Sequence, residues 1–161
     1  VTGSVAVDRF ASAAVVVFDP RQHRLSYANA GHHPLLLVSP EGEDKNGVSE
    51  IDADGLPIGI EADGGYNSVE ESFHPGTVAL FYTDGLVEAP NEEMVEYGVS
   101  RVVNVVRRAL RDGADLPSLV KTLISDVDAY TGDQPQHDDL TVVVCAYPSS
   151  ETDTVNSAAE A

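Results

Sequence analysis

Two acidic clusters in this chain sit where a hard cation could be held. Asp84 follows the apolar run Val78-Ala79-Leu80-Phe81-Tyr82 with only Thr83 between them. Asp138 and Asp139 directly precede the run Leu140-Thr141-Val142-Val143-Val144. A carboxylate at a rigid strand end is fixed before a metal arrives, and its oxygens suit a hard cation. If the two strands are antiparallel neighbours, Asp84 and Asp138 share one sheet edge and can reach one ion. The competing reading is ordinary turn chemistry, since Asp84-Gly85 is a common turn dipeptide and an Asp pair before a strand is often solvated. An aspartyl nucleophile of the haloacid type wants a second Asp two residues on, and position 86 is leucine.

The other reactive side chains say less. His32 and His33 stand in a Gly-His-His-Pro turn and His74 precedes Pro75-Gly76, places where imidazole is usually a turn or surface group. No His pair has zinc-site spacing, and one cysteine cannot make a thiolate site. Cys145, within Val142-Val143-Val144-Cys145-Ala146, reads as a small buried hydrophobe. No serine lies in a Gly-x-Ser-x-Gly elbow. Gly55-Leu56-Pro57-Ile58-Gly59-Ile60 lacks the lysine and the helix of a phosphate loop.

These residues must be positioned by many short strands followed by helices. The β-branched run Ala13–Phe18 stops at Asp19-Pro20. Residues 24–30 alternate, with Leu25, Tyr27 and Asn29 on one side, and the four residues between the runs predict a hairpin. Leu35–Val38 reads as a third strand, 40–47 as a polar loop tip, 66–73 and 78–82 as further strands, and 140–147 as a buried closing strand. Val99, Val102, Val103, Val106 and Leu110 recur at helical spacing. Asp115 with Pro117 opens a second helix striped by Leu119, Val120, Leu123, Val127 and Tyr130, which Gly132 ends. Strands without intervening helices predict an α+β fold with largely antiparallel sheets.

Composition narrows the partners. The 161 residues fit one domain, with 42% hydrophobic and 22% charged residues. Twenty-seven Asp and Glu against nine Lys and Arg give a formal charge of −18. That field opposes nucleic acid and anionic membranes and suits a basic protein partner, divalent cations, adaptation to high salt or, most simply, a solvated acidic surface. No apolar stretch approaches a bilayer span and no leader pattern opens the chain, so a cytoplasmic protein is expected. Residues 149–161 read as a disordered acidic tail.

Taken together, the segments resemble a known family. Tyr27-Ala28-Asn29-Ala30-Gly31-His32-His33-Pro34 resembles the Tyr-x-Asn-Ala-Gly-His-x-Pro segment of SpoIIE-type serine/threonine phosphatases, a branch of the metal-dependent PPM phosphatases. Gly55-Leu56-Pro57-Ile58-Gly59 is similar to their Gly-x-Pro-Leu-Gly loop. Pro75-Gly76, Tyr82-Thr83-Asp84-Gly85, Glu88-Ala89, Tyr97-Gly98-x-x-Arg101 and Asp138-Asp139-Leu140-Thr141 follow in the family's order. At position 77 threonine stands where the family usually has aspartate.

The resemblance covers roughly residues 10–148, and the phosphatase domain is placed at 1–148. It implies a PPM-type α/β/β/α sandwich with largely antiparallel sheets and helices outside, incomplete at the N-terminus. It implies Asp84 and Asp138 as ligands of Mn²⁺ or Mg²⁺, two ions in the complete domain, with Asp139 and Gly85 as further candidates. The activity implied is hydrolysis of phosphoserine or phosphothreonine on a regulatory protein such as an anti-sigma-factor antagonist. Metal-activated water would attack, and no phosphoenzyme would form. The family's Gly-Asp-x-x-Asp and Asp-x-x-Gly motifs, which supply further ligands, are not within these residues, so the domain is expected to be N-terminally shortened. Two roles stay open, a phosphatase or a catalytically inactive phosphatase-like module that binds a phosphorylated regulator. Self-association into a homodimer also stays open.

Overall fold

The computed structural model describes residues 10–40, 47–61 and 64–147. The expected tail at 149–161 and most of the 40–47 loop tip lie outside these residues.

Two antiparallel sheets form in the order β1-β2-β5 and β4-β3-β6-β7. The first contains β1 (Ala13–Asp19), β2 (Arg24–Ala30) and β5 (Ser68–Ser72). The second contains β3 (Leu35–Val38), β4 (Val48–Ile51), β6 (Val78–Tyr82) and β7 (Val142–Ala146). The predicted hairpin is present, pairing Ala13 with Ala30 through to Asp19 with Arg24. Its turn is built by Asp19, whose Oδ1 accepts from the backbone N–H groups of Arg21 and Gln22. Short Asp side chains stabilise such turns by replacing a backbone acceptor.

The alternation in β2 fixes the layers. Leu25 and Tyr27 are fully buried and pack with Leu35, Leu37, Phe73 and Ala79 between the sheets. The opposite residues of the second sheet, Leu36, Val38, Leu80 and Tyr82, form a separate core with the helices. Both faces of β3 are therefore covered, which is why Leu35-Leu36-Leu37-Val38 is apolar throughout rather than alternating. Helix α2 (Val99–Arg111) buries Val102, Val103, Val105, Val106 and Ala109. Helix α3 (Leu116–Thr131) is capped by Asp115, whose side chain accepts from Ser118 N–H at 2.9 Å, and ends at Gly132.

The architecture is α+β with largely antiparallel sheets, as expected, but among the described residues helices cover one outer face only. On the other outer face Val15 and Val17 of β1 are 59% and 63% exposed. Among the described residues the fourth layer of an α/β/β/α sandwich is lacking.

Two finer expectations need correction, and two elements were not anticipated. The closing strand was expected to be buried, yet β7 is an edge strand and Val143 is half exposed. Cys145 is only half-buried for the same reason, packing against the inter-sheet core from the sheet's margin. Strand β4 and the short helix α1 (Asp84–Val87) have no clear sequence signal. Four residues are too few to show a period, and β4 is identified only by pairing with β3, Val48 opposite Val38 and Ile51 opposite Leu35.

Candidate metal centre

Strands β6 and β7 are antiparallel neighbours, with Tyr82 opposite Val142 and Val78 opposite Ala146. The end of β6 and the approach to β7 therefore meet at one edge. Thr83 ties them there. Its backbone N–H donates to Thr141 O at 3.1 Å, and its hydroxyl donates to Asp139 O at 2.9 Å while accepting from Thr141 N–H at 2.9 Å. One threonine side chain thus holds the segment bearing Asp84 against the segment bearing Asp138 and Asp139.

Gly85 makes the approach possible. A Cβ at this position would lie 2.6 Å from Asp139 O and 3.2 Å from Asp138 O, closer than side chains pack against backbone. Its role here is space, which a larger residue would take from the aspartate segment. The Oδ1 atom of Asp84 accepts from Gly85 N–H at 3.0 Å, and that of Asp138 from Asp139 N–H at 2.7 Å. Each carboxylate is oriented through one oxygen. Both side chains are exposed, and both line a cleft of about 490 Å³ that also contains Gly85, Glu88, Val127 and Leu140. Asp139 does not line it; its carbonyl is engaged by Thr83 and it faces Gly85 through its backbone.

Asp84 also lines a second, smaller cleft of about 230 Å³ with Ser12, Gly31, His32, His33 and Thr83. It is the ridge between the two. The histidine turn is held from below by Asn29, a buried polar residue. Asn29 Nδ2 donates to His32 O and Asp52 Oδ1, both at 2.8 Å, and its Oδ1 accepts from His32 N–H at 2.8 Å. The buried Tyr27 donates to His33 O at 3.2 Å, and the His33 ring stacks on Tyr82 at 5.2 Å. Gly31, at φ +67, lies where a Cβ would collide with the Pro57 ring, and a Cβ on Gly55 would collide with Asn29 O. The Gly-x-Pro-x-Gly segment therefore braces the histidine turn.

Burial holds the His32 imidazole below its usual pKa of 6.5, and neighbouring His33 adds to this, while Asp84 pulls the other way. Its Nδ1 lies 3.3 Å from Ser12 Oγ. The Gly-His-His-Pro pattern alone predicts only turn or surface imidazoles at His32 and His33. The structure brings His32 to the same ridge as Asp84, a proximity across 52 positions that no local pattern carries.

The donor set fits a hard divalent cation in kind. Two carboxylates on pre-positioned segments are the sort of set by which Mg²⁺ is held together with waters and a substrate phosphate. In number the set is partial, because among the described residues no group of three His, Cys, Asp or Glu could hold an ion.

Comparison with known proteins follows the same lines. The family profile described as Stage II sporulation protein E (SpoIIE) matches residues 1–148. Phosphoserine phosphatase RsbU of Bacillus subtilis is 30% identical over 71 residues, which is 44% of this chain and 20% of RsbU. Among solved structures, the SiaA-PP2C domain of Pseudomonas aeruginosa superposes with a TM-score of 0.72 at 26% identity, covering 84% of this chain and 51% of that one. The manganese-presoaked phosphatase domain of SpoIIE from Bacillus subtilis gives 0.57 at 20% identity, covering 85% and 56%. The chain thus spans about a fifth of the curated relatives it matches and about half of these solved chains.

Proposed function

This chain belongs to the SpoIIE family of PPM-type serine/threonine phosphatases, and on that premise we propose that it carries part of a site hydrolysing phosphoserine or phosphothreonine in a regulatory protein. The observation that carries the reading is the pairing of Asp84 with Asp138 on one cleft, across segments locked by Thr83.

Asp84 and Asp138 would hold Mn²⁺ or Mg²⁺, the first ion being the one with which the SpoIIE neighbour was presoaked. A bound divalent cation supplies activation of water and neutralises phosphoryl charge in an in-line displacement. The chain's own residues do the positioning. Thr83 and Gly85 set the separation of the two carboxylates, and the backbone N–H groups of Gly85 and Asp139 orient them. His32, presented by the Asn29 and Tyr27 hydrogen bonds, offers a ring N–H to a phosphoryl oxygen on the far side of Asp84. Asp139 and Gly85 shape the site through the backbone rather than as side-chain ligands.

An anti-sigma-factor antagonist in the cytoplasm is the substrate class that the family relationship favours. Among the described residues no helix is long and apolar enough to cross a membrane. The second reading, binding without hydrolysis, draws on the same cleft, which would hold a phosphorylated segment whether or not a reaction follows.

The test is release of phosphate from a phosphoserine peptide with and without Mn²⁺, comparing the chain with Asp84→Asn and Asp138→Asn. Both substitutions retain an acceptor for the local N–H and sit at exposed positions, so stability should change by less than about 0.5 kcal/mol. Metal-dependent release lost in both variants supports hydrolysis. Phosphopeptide binding with no release in any form supports the binding role.

A further inference from the structure

The larger cleft runs well beyond the two aspartates, and nothing in the proposed chemistry uses its far end. That end lies between the loop at 90–96, the C-terminal part of α3 and the segment leading to Asp138. Its surface is apolar at Ala89, Pro90, Val127, Pro135 and Leu140, and Glu88, Glu96 and Asp128 stand around it as exposed carboxylates. No lysine or arginine lines it among the described residues.

The loop is built to present one apolar side chain to this cleft. Met94 sits at φ +61, a left-handed conformation rare for a residue with a long side chain. It is nevertheless 68% exposed. The conformation is enforced by its surroundings. Asn91 Oδ1 accepts from Glu93 N–H and Val95 N–H, Asn91 N–H donates to Val95 O, and Met94 N–H donates to Asn91 O. Tyr130 on α3 donates from its hydroxyl to Val95 O and Glu96 O at 3.1 and 3.2 Å, pinning the loop to the helix. Backbone strain that is over-determined by hydrogen bonds and displays an unburied methionine serves no packing purpose. A flexible thioether on a fixed loop suits contact with another chain.

We infer that this cleft docks the segment flanking the phosphorylated residue of the substrate protein, and that it selects a flank carrying a basic side chain beside an apolar one. The inference rests on the proposed function for the phosphoryl end of the substrate, which would lie at Asp84 and Asp138. Charge decides among occupants. Three carboxylates, with no lysine or arginine lining the cleft among the described residues, repel a second copy of a chain whose formal charge is −18, and they repel nucleotides and other phosphates. A lysine or arginine in the docked flank neutralises them, and an apolar neighbour reaches Met94, Val127 and Leu140. The volume of about 490 Å³ accommodates a few side chains.

The test uses labelled phosphoserine peptides of equal length, identical except for an Arg-Leu or a Glu-Leu flank. Fluorescence anisotropy with the whole chain, in EDTA and in Mn²⁺, is expected to show the Arg-Leu peptide binding at least about tenfold tighter in both. The double substitution Glu96→Lys with Asp128→Lys, at exposed positions, should reverse the preference. Met94→Gly, which suits the positive φ, should weaken both peptides without changing their order. Equal affinity for the two flanks, no binding by the unsubstituted chain, or a preference unchanged by the double substitution overturns the inference. Phosphate release is read separately. Flank selectivity without release defeats hydrolysis and leaves docking intact, whereas release without selectivity defeats docking alone.

Discussion

Replacing Gly85 with alanine should damage the site by an amount the geometry allows us to work out. The added Cβ would lie 2.6 Å from Asp139 O and 2.9 Å from its carbonyl carbon, both backbone atoms that cannot rotate away. Ordinary contact begins near 3.4 Å, so the start of α1 and the approach to β7 must part by about 0.8 Å. The two hydrogen bonds through Thr83 Oγ1, each 2.9 Å, span the same gap and would stretch with it. Overpacking of this kind costs about 1–3 kcal/mol. In a chain of this size that lowers Tm by roughly 2–12 °C. The displacement also moves Asp138 relative to Asp84, and a misplacement near 1 Å lowers metal-dependent turnover on the order of 100-fold. Thermal unfolding and a Mn²⁺ titration of phosphate release measure the two effects. Gly113→Ala is the control, because its φ of +74 makes any side chain strained while no atom lies within 4 Å. It should cost about 1–2 kcal/mol and leave the Mn²⁺ dependence unchanged. A Gly85→Ala chain with unaltered Tm and unaltered Mn²⁺ dependence would refute the close-approach argument.

Other expectations follow from the histidine turn and the buried rings. Asn29→Leu removes three hydrogen bonds made from a buried position, two to the His32 backbone and one to Asp52, so denaturant unfolding should show a loss of roughly 2–4 kcal/mol; a loss under about 1 kcal/mol would mean the turn stands without it. In EDTA, the His32 proton-NMR midpoint should fall below 6.5, and Asp84→Asn should lower it further by removing the one influence that raises it. A lowered folded-state pKa means this contribution to stability is present above pH 6.5 and is lost as pH falls below it. Burial pushes the hydroxyls of Tyr27 and Tyr82 up from 10.0 to about 12. Their contribution is present below pH 10 and lost as pH rises from 10 to 12, which an alkaline unfolding series followed by circular dichroism would detect.

How much was legible beforehand depends on whether the signal was local. The α2 and α3 stripes, the Asp115 cap and the β1–β2 hairpin could be read because each is written in residues close together in the chain, with periods long enough to count. Burial of β7 was misjudged for the opposite reason. The run Val142-Val143-Val144-Cys145-Ala146 has the composition of a central strand, but position in the sheet decides burial, and among the described residues it pairs only with β6. Among the described residues the outer face of β1 carries Val15 and Val17 without a covering layer, which composition cannot reveal.

For the site, the sequence determined the chemistry of the donors and the fact that each stands at a strand end. Carboxylate chemistry belongs to the residue type, and strand ends are marked locally. The tertiary structure decided which groups meet. The β6–β7 register sets Asp84 against Asp138, Thr83 bridges 56 positions to Asp139, and Asn29 delivers His32 to the ridge beside Asp84. It also decided that Met94, unremarkable in the sequence, stands exposed on a pinned loop at the mouth of the cleft. Such juxtapositions depend on sheet pairing between residues far apart in the chain, and a pattern read along one segment holds no record of its partner across the sheet.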